Sequence, residues 1–501
     1  MSKAGILLLI FIIPLRLKSQ VLPQEGSKLN YRLIGFSFPQ VPEAIEYKIQ
    51  IAKGNYNTED SFRKNTFNSI DCKINKVIVE VPAFGENYTW RVVFTKKNKA
   101  EKGALRHFST QMHPHIDTTM LRLRILQPAA EQYKDNYVAV DGGGVLYDMN
   151  GRAVWYIPDT NGFTGNVACL QFTPEGTITF IYKEAYEINL NGDILWKSPE
   201  LTNISGDTTH ELFHHELTKL TNGHYMALGM QYLQCKSVSS KDTSYILVAK
   251  NDPKLNANGY KQGRFGRLIE YDKKGIVVWS WDCLKYLLQT DFAYYNPIDS
   301  FRRFDAHENA FFFDEKNKVI YLGFRDLNRI IKIEYPGGKV LRTYGKIFKP
   351  GVQGLGEGLF CGQHSIGLSS DGYLYIFNNN TCKPDSTPTI VMLQEPIASS
   401  GTLKKVWEYT CVADGKFTKN FINGGNAKEL PDHSLFVNMG SKYCKLSIVD
   451  REQKVLWSAL PERYIPTERR WVPIYEYRAN IISRKSLENL IWTSENQENF
   501  K

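Results

Sequence analysis

A chain of 501 residues with 42% hydrophobic and 23% charged content is globular rather than disordered, and is long enough for two domains. The net charge of +10 is spread without a dense Lys/Arg block, which argues against nucleic-acid binding. Eight cysteines with no CxxC and no Cys/His spacing argue against a zinc or dithiol module.

In chain order, the N-terminus comes first. Lys3 precedes an apolar run from Gly5 to Pro14, too short to span a bilayer and of the length of a signal-peptide core. Residues 1–19 are read as a signal peptide, so the protein is expected to be periplasmic or secreted and not an integral membrane protein. Removing Lys3, Arg16 and Lys18 takes the charge from +10 to +7, because residues 1–19 contain no acid. Residues 20–115 hold short runs such as "YRLIGFSFPQ", "EYKIQIAKG", "KVIVEVPAF" and "NYTWRVVFTKK". Their spacing predicts a small β-sandwich of immunoglobulin or fibronectin III type.

From residue 116 to 501 the chain repeats. A turn, a few β-formers and a Trp slot recur at Trp155, Trp196, Trp279, Arg342, Trp407 and Trp457, at intervals of 41, 83, 63, 65 and 50 residues. Six such copies predict an all-β, six-bladed β-propeller, with loop insertions making the intervals uneven. Turn-plus-strand runs such as "TPEGTITFIY", "LTNGHYMALG" and "LSSDGYLYIF" accompany the first motif. The segment from about residue 462 is expected to pack outside the propeller or complete its last blade. Among the cysteines, Cys361 with Cys382 is the pair expected to form a disulfide, and most of the others read as isolated buried thiols.

The histidines fall on the repeat. His215 stands eight residues before Gly223, and His364 eight before Gly372. His307 occupies the same strand position ahead of a longer turn. Ala168 stands at that place in the preceding copy, and Asn426, eight before Ser434, in the last. Innermost strands of a propeller converge on its channel, so His215, His307 and His364 are expected to meet there. Neighbours on a strand point to opposite faces, so His214 is expected to turn into the sheet. Three imidazoles could bind zinc, clamp an anion or supply a nucleophile. Arg325, 18 residues after His307, favours an oxyanion over a divalent metal, because its planar fork matches phosphate or sulfate oxygens. Asn309 shares a face with His307 and can donate to the anion without adding charge. No metal and no cofactor is expected.

The strings "FHHELTKLTNGHYMALG", "HENAFFFDEKNKVIYLGFRDLNRIIKIE" and "GQHSIGLSSDGYLYIFNN", in this order, resemble the bacterial arylsulfate sulfotransferases over about residues 120–480. The resemblance implies PAPS-independent transfer of a sulfuryl group from a phenolic sulfate donor to a phenolic acceptor in the periplasm. It implies His364 as nucleophile through a sulfohistidine, with His215, His307, Asn309 and Arg325 holding sulfate oxygens. The chain departs from the family pattern at Glu308, at Arg325-Asp326-Leu327 and at Arg342. A non-catalytic exported propeller binding an anionic ligand or glycan is the alternative, a metal- or quinone-dependent propeller enzyme a third reading, and a homodimer is left open.

Overall fold

The computed structural model describes residues 21–97, 99–165, 167–199, 212–237, 245–248, 261–287, 290–291, 305–383, 387–397, 401–412, 423–440 and 445–497. Residues 1–20, which include the segment read as a signal peptide, Cys444 and the other residues between and after these ranges lie outside the described residues. The chain divides into two compact units, one ending at Gln111 and the next beginning at Met112. Both are nearly all-β.

The first unit holds two sheets. One runs in the order Ser27–Leu29, Arg106–Thr110, Asn87–Lys96, Glu46–Lys53, Thr66–Cys72, with Lys99–Lys102 beside Asn87–Lys96. The other pairs Leu33–Ser37 with Lys76–Glu80. Phe36 of the small sheet meets Trp90 and Phe108 of the large one at ring distances of 4.9 and 6.0 Å, so the two share a core. The alternation in "EYKIQIAK" produces that arrangement: Tyr47, Ile49 and Ile51 are buried while Glu46, Lys48 and Gln50 are not.

Among its described residues the second unit holds six antiparallel sheets. Six strands stand at the inner end of these sheets: β1 Ala168–Phe172, β2 Leu212–Lys219, β3 Glu308–Asp314, β4 His364–Leu368, β5 Asn426–Glu429 and β6 Ala479–Ile482. Each begins a meander except β6, which comes last in sequence yet pairs with Tyr137–Val140 in the sheet that is first in sequence. The C-terminal segment therefore does more than pack outside or extend the last sheet. Arg470–Pro473 does extend the last sheet, alongside Val455–Ile465, but Ala479–Ile482 supplies the inner strand of the first. A helix over Arg484–Gln497 follows. Leu121–Gln127 lies on the other side of Val455–Ile465, so the two ends of the unit interlock with opposite ends of the sheet order.

The six Trp-slot residues all lie in the fourth strand counted from the inner one: Ala153–Tyr156, Ile194–Lys197, Val277–Asp282, Val340–Gly345, Lys404–Thr410 and Val455–Ile465. The five Trp rings each tie a sheet to the next, while Arg342 fills the slot of the fourth sheet without a ring. Trp155 donates to Leu190 O, Trp279 to Pro336 O and Trp407 to Arg451 O. Trp196 stacks on Tyr225 at 3.7 Å. Trp457 donates to Met149 O, which returns the succession to the first sheet. Asn426 closes the inner side by two hydrogen bonds to Ala479, joining β5 to β6. Cys361 and Cys382 form a disulfide with a Cα separation of 6.0 Å, as the sequence led us to expect. It fastens the approach to β4. Cys169, Cys283 and Cys411 are free and buried, and Cys72 is free and half-buried.

Candidate functional site

Four inner strands carry a bulge at the same level. Pairing skips between Ala168 and Gln171 in β1, Phe213 and Leu217 in β2, Glu308 and Ala310 in β3, and His364 and Ile366 in β4. At or beside these skips Cys169, His215, His307 and Ser365 have φ of 56°, 61°, 54° and 51°. Non-glycine residues adopt this region at a cost of ~1–3 kcal/mol, which the surrounding sheet must absorb. A bulge re-aims the side chains around it.

At the double histidine the bulge overrides alternation. His214 and His215 were expected on opposite faces, but their rings meet edge to face at 4.7 Å with their Nδ1 atoms in contact. His214 Nε2 lies 3.3 Å from Gly229 O on the neighbouring strand. His215 lies 5.2 Å from the His307 ring and 5.3 Å from Tyr477. Tyr477 in turn lies 5.9 Å from the His364 ring. His215 and His364 thus flank Tyr477, a residue for which the sequence offered no signal, and His307 lies beyond His215.

His364 is the most constrained of the group, at 1% exposure. Its Nδ1 lies 2.7 Å from Asn379 Oδ1 and 3.2 Å from Gly362 O. Asn379 Nδ2 donates to Gly424 O at 3.1 Å, which fixes the amide with its oxygen toward the imidazole. Both neighbours of Nδ1 are acceptors, so Nδ1 carries the hydrogen and Nε2 keeps its lone pair. That Nε2 is buried and has no hydrogen-bond partner among the described residues. Burial first, then the charges of Arg478 and Arg325, hold His364 well below the usual histidine range. Burial and the neighbouring histidines do the same to His215. The imidazoles of His215 and His364 are therefore neutral groups, and Arg325 and Arg478 bring positive charge to the cluster.

Arg325 Nη1 points at His307 Nε2 at 3.3 Å, and its backbone N–H donates to His307 O at 2.9 Å. The opposite nitrogen of His307, Nδ1, faces Asp305 at 3.5 Å and Asp326 at 3.7 Å. Asp326, one of the departures from the family pattern, also pairs with Arg325 Nε at 2.9 Å. Leu327 beside it is fully buried in the core. Asn309, expected to donate to the anion, has a protein partner as well. Its Nδ2 donates to Gln363 O at 2.8 Å, so it holds the residue before His364, and its Oδ1 has no partner among the described residues.

Arg478, just before β6, was also missed. It is 4% exposed. Nη1 donates to Gly425 O, Nη2 donates to Asn309 O at 3.1 Å and lies 3.4 Å from Glu216 Oε2. Tyr477 lines a cavity of about 380 Å³ with Asp141, Tyr182, Lys183 and Tyr475. Arg478 lines another of about 270 Å³ with Glu216, Ser365 and Lys428. The sequence count that put Asn426 level with the histidines is off by one. His433, with φ of 66° and its N–H on Leu430 O, holds the turn position of Gly176, Gly223 and Gly372, so Asn426 stands seven residues before it.

Metal ligation was the other reading of the histidines. Among the described residues, the one grouping with metal-ligand spacing is Asp371, Glu429 and His433, which includes none of them. Arg451 Nη2 already lies 2.7 Å from Glu429 and 3.8 Å from Asp371 there.

A buried neutral imidazole whose Nε2 has no partner among the described residues, near Arg325 and two further histidines, has the make-up of a nucleophile beside groups able to bind an oxyanion. The model of the family described as arylsulfotransferase (ASST) matches residues 122–251 and 237–411, and the chain belongs to that family. The matched span includes His215, His307, Asn309, Arg325 and His364 and ends before Tyr477 and Arg478. No curated protein matches the chain significantly. Among solved structures, a protein of unknown function from Bacteroides caccae is similar at 15% identity and a TM-score of 0.39, covering 65% of this chain and 93% of its own. The periplasmic gluconolactonase PpgL of Pseudomonas aeruginosa is similar at 10% identity and a TM-score of 0.29, covering 87% and 99%. The rhamnogalacturonan lyase PL11 of Bacillus licheniformis is similar at 11% identity and a TM-score of 0.27, covering 92% and 90%. Likenesses of this size carry no functional argument.

Proposed function

We propose that the protein moves a sulfuryl group from a phenolic sulfate ester to a phenolic acceptor through a sulfohistidine on His364. The unpartnered, buried Nε2 of His364 carries this reading. A buried nitrogen left without a partner costs stability unless something occupies it in function. In the first half-reaction Nε2 attacks sulfur, the N–S bond forms and the S–O bond to the aryl group breaks, releasing phenolate. In the second, an acceptor phenol oxygen attacks the same sulfur, the N–S bond breaks and the phenol proton passes to solvent. The imidazole returns to its starting tautomer because Asn379 and Gly362 keep the hydrogen on Nδ1 throughout. No cofactor enters either step, since the donor ester supplies the sulfuryl group.

Arg325 and His215 meet the charge on the equatorial oxygens, and His307, with Nδ1 toward Asp305 and Asp326 and Nε2 toward Arg325, holds that guanidinium in place. Aryl esters are preferred over alkyl esters because phenolate leaves more readily than alkoxide. The six sheets with their cyclic Trp contacts support a six-bladed β-propeller preceded by a small β-sandwich. The N-terminal apolar run and the Cys361–Cys382 disulfide support a periplasmic or secreted protein.

The test is release of 4-nitrophenol from 4-nitrophenyl sulfate, with and without added phenol. Phenol should accelerate release, and mass spectrometry of enzyme quenched with donor alone should find the sulfuryl adduct on the His364 peptide. A wild type that binds aryl sulfates but turns none over, with no adduct, sinks the reading.

A further inference from the structure

We propose that Arg478 is the positioning residue of the reactive cluster, set opposite Glu216, and that this pair fixes the charge that His364 faces. The proposal deepens the transfer reading above and rests on it for the role of His364. Arg478 reaches from the approach to β6 to three other inner strands. It holds Gly425 O before β5, Asn309 O in the β3 bulge and Glu216 in the β2 bulge. Its own backbone N–H is held by Asp141 Oδ2 at 2.8 Å. Nothing among the described residues takes its Nε, which is buried. The guanidinium carbon lies 5.1 Å over the Tyr477 ring, whose other neighbours are His215 and His364. Asn309 completes the link: its backbone oxygen accepts from Arg478 while its side chain holds the carbonyl next to His364.

A guanidinium this deeply buried is costly unless paired, and the pairing here is loose. Glu216 gives Arg478 one oxygen at 3.4 Å, while its Oε1 faces Cys169 Sγ and Gln171 Nε2 on β1 at 3.5 and 3.3 Å. Positive charge is thus left over beside the imidazole. The other titratable or charged groups around His364 are Arg325 after the second strand of its sheet, His307 before β3, His215 on β2 and Tyr477 before β6. Asp305 and Asp326 face His307, and Glu308 turns away onto Cys283. Of these, the Arg478 guanidinium does most, after burial itself, to keep the His364 imidazole neutral.

The experiment is a pH titration of the His364 ring by NMR in the full-length, histidine-labelled protein, with the acid limb of kcat/KM read in parallel. Arg478→Gln should raise the titration midpoint by on the order of one pH unit, the effect of a unit charge several ångströms away at an effective dielectric near 20. Arg478→Lys keeps the charge but loses the two-pronged carbonyl grip, and should leave the midpoint near wild type. Glu216→Gln uncovers Arg478 and should show no upward shift. A merely structural role predicts that Lys fails as Gln does. Arg478→Gln and Glu216→Gln shifting together, or folded Arg478→Gln with an unmoved midpoint, overturns the proposal. If the midpoints move as expected while no variant and no wild type turns over aryl sulfate, the charge-setting role stands and the transfer reading falls.

Discussion

The inner strands divide into two halves. β2, β3 and β4 carry or directly follow His215, His307 and His364, whereas β1, β5 and the approach to β6 bring Ala168, Asn426 and Arg478. The backbone does not make this difference, because β1 bulges at Cys169 much as β2, β3 and β4 do. The bulge belongs to the architecture, and the chemistry is grafted onto it by side chains on one half. The opposite half supplies a fixed cation and the hydrogen bonds that close the sheet order.

The largest test of that division is His364→Ala. Loss of the nucleophile should cost on the order of 10⁴-fold or more in 4-nitrophenol release, since groups that act as a unit fail together. An active variant would place the chemistry elsewhere. Arg325→Ala should follow, at about 100-fold or more in kcat with the fold intact by circular dichroism. Arg325→Lys should recover little, because a single ammonium cannot reproduce the fork that faces both His307 and the transferred group.

How far the sequence revealed this site follows from what repeats. The Trp slots were legible because four of the six fourth strands meet the next sheet in the same way, through the Trp155, Trp279, Trp407 and Trp457 N–H groups, and Trp196 does so by stacking. His215 and His364 were legible because each stands at a fixed count from a turn glycine with left-handed φ, Gly223 or Gly372. Arg478, Tyr477 and Asn379 were not, since they sit in stretches that no other sheet repeats. Alternation misled at His214, because a bulge spends several residues of β2 against one of its partner strand. At Asn309 the shared face said nothing of the hydrogen bond by which its amide holds Gln363 O.

On the other half, Asn426→Ala should reverse the pattern of effects. It removes both hydrogen bonds to Ala479, at 2.7 and 3.1 Å, and so should lower stability by about 1–3 kcal/mol in denaturant unfolding. Turnover measured where the variant is folded should stay within a few-fold of wild type. A loss of kcat as deep as that of Arg325→Ala would erase the distinction between the halves.

The smallest effect on turnover is expected at Glu308, which lies next to His307 but faces the other way. Its carboxyl is 3% exposed, packs against Cys283 and fits only because position 266 is glycine. One carboxyl oxygen has no partner among the described residues. Burial pushes the group up to about 7 from an ordinary 4.5, so the folded protein prefers it protonated. Below the ordinary value both folded and unfolded chains hold the proton and no penalty exists. Between there and about 7 the unfolded chain releases the proton while the folded chain keeps it, so stability falls as pH rises and levels off above that window. Asp141, pushed up to about 6 by burial beside Glu476, adds a slope of the same sign. Glu308→Gln keeps the shape and discards the ionisation, so the fall in Tm between pH 5 and pH 8 should be smaller in the variant, with the Asp141–Glu476 contribution remaining. Its kcat should match wild type at pH 6. If Glu308→Gln instead loses turnover and leaves the pH dependence of Tm unchanged, Glu308 faces the reacting group, and the orientation that separates it from His307 is wrong.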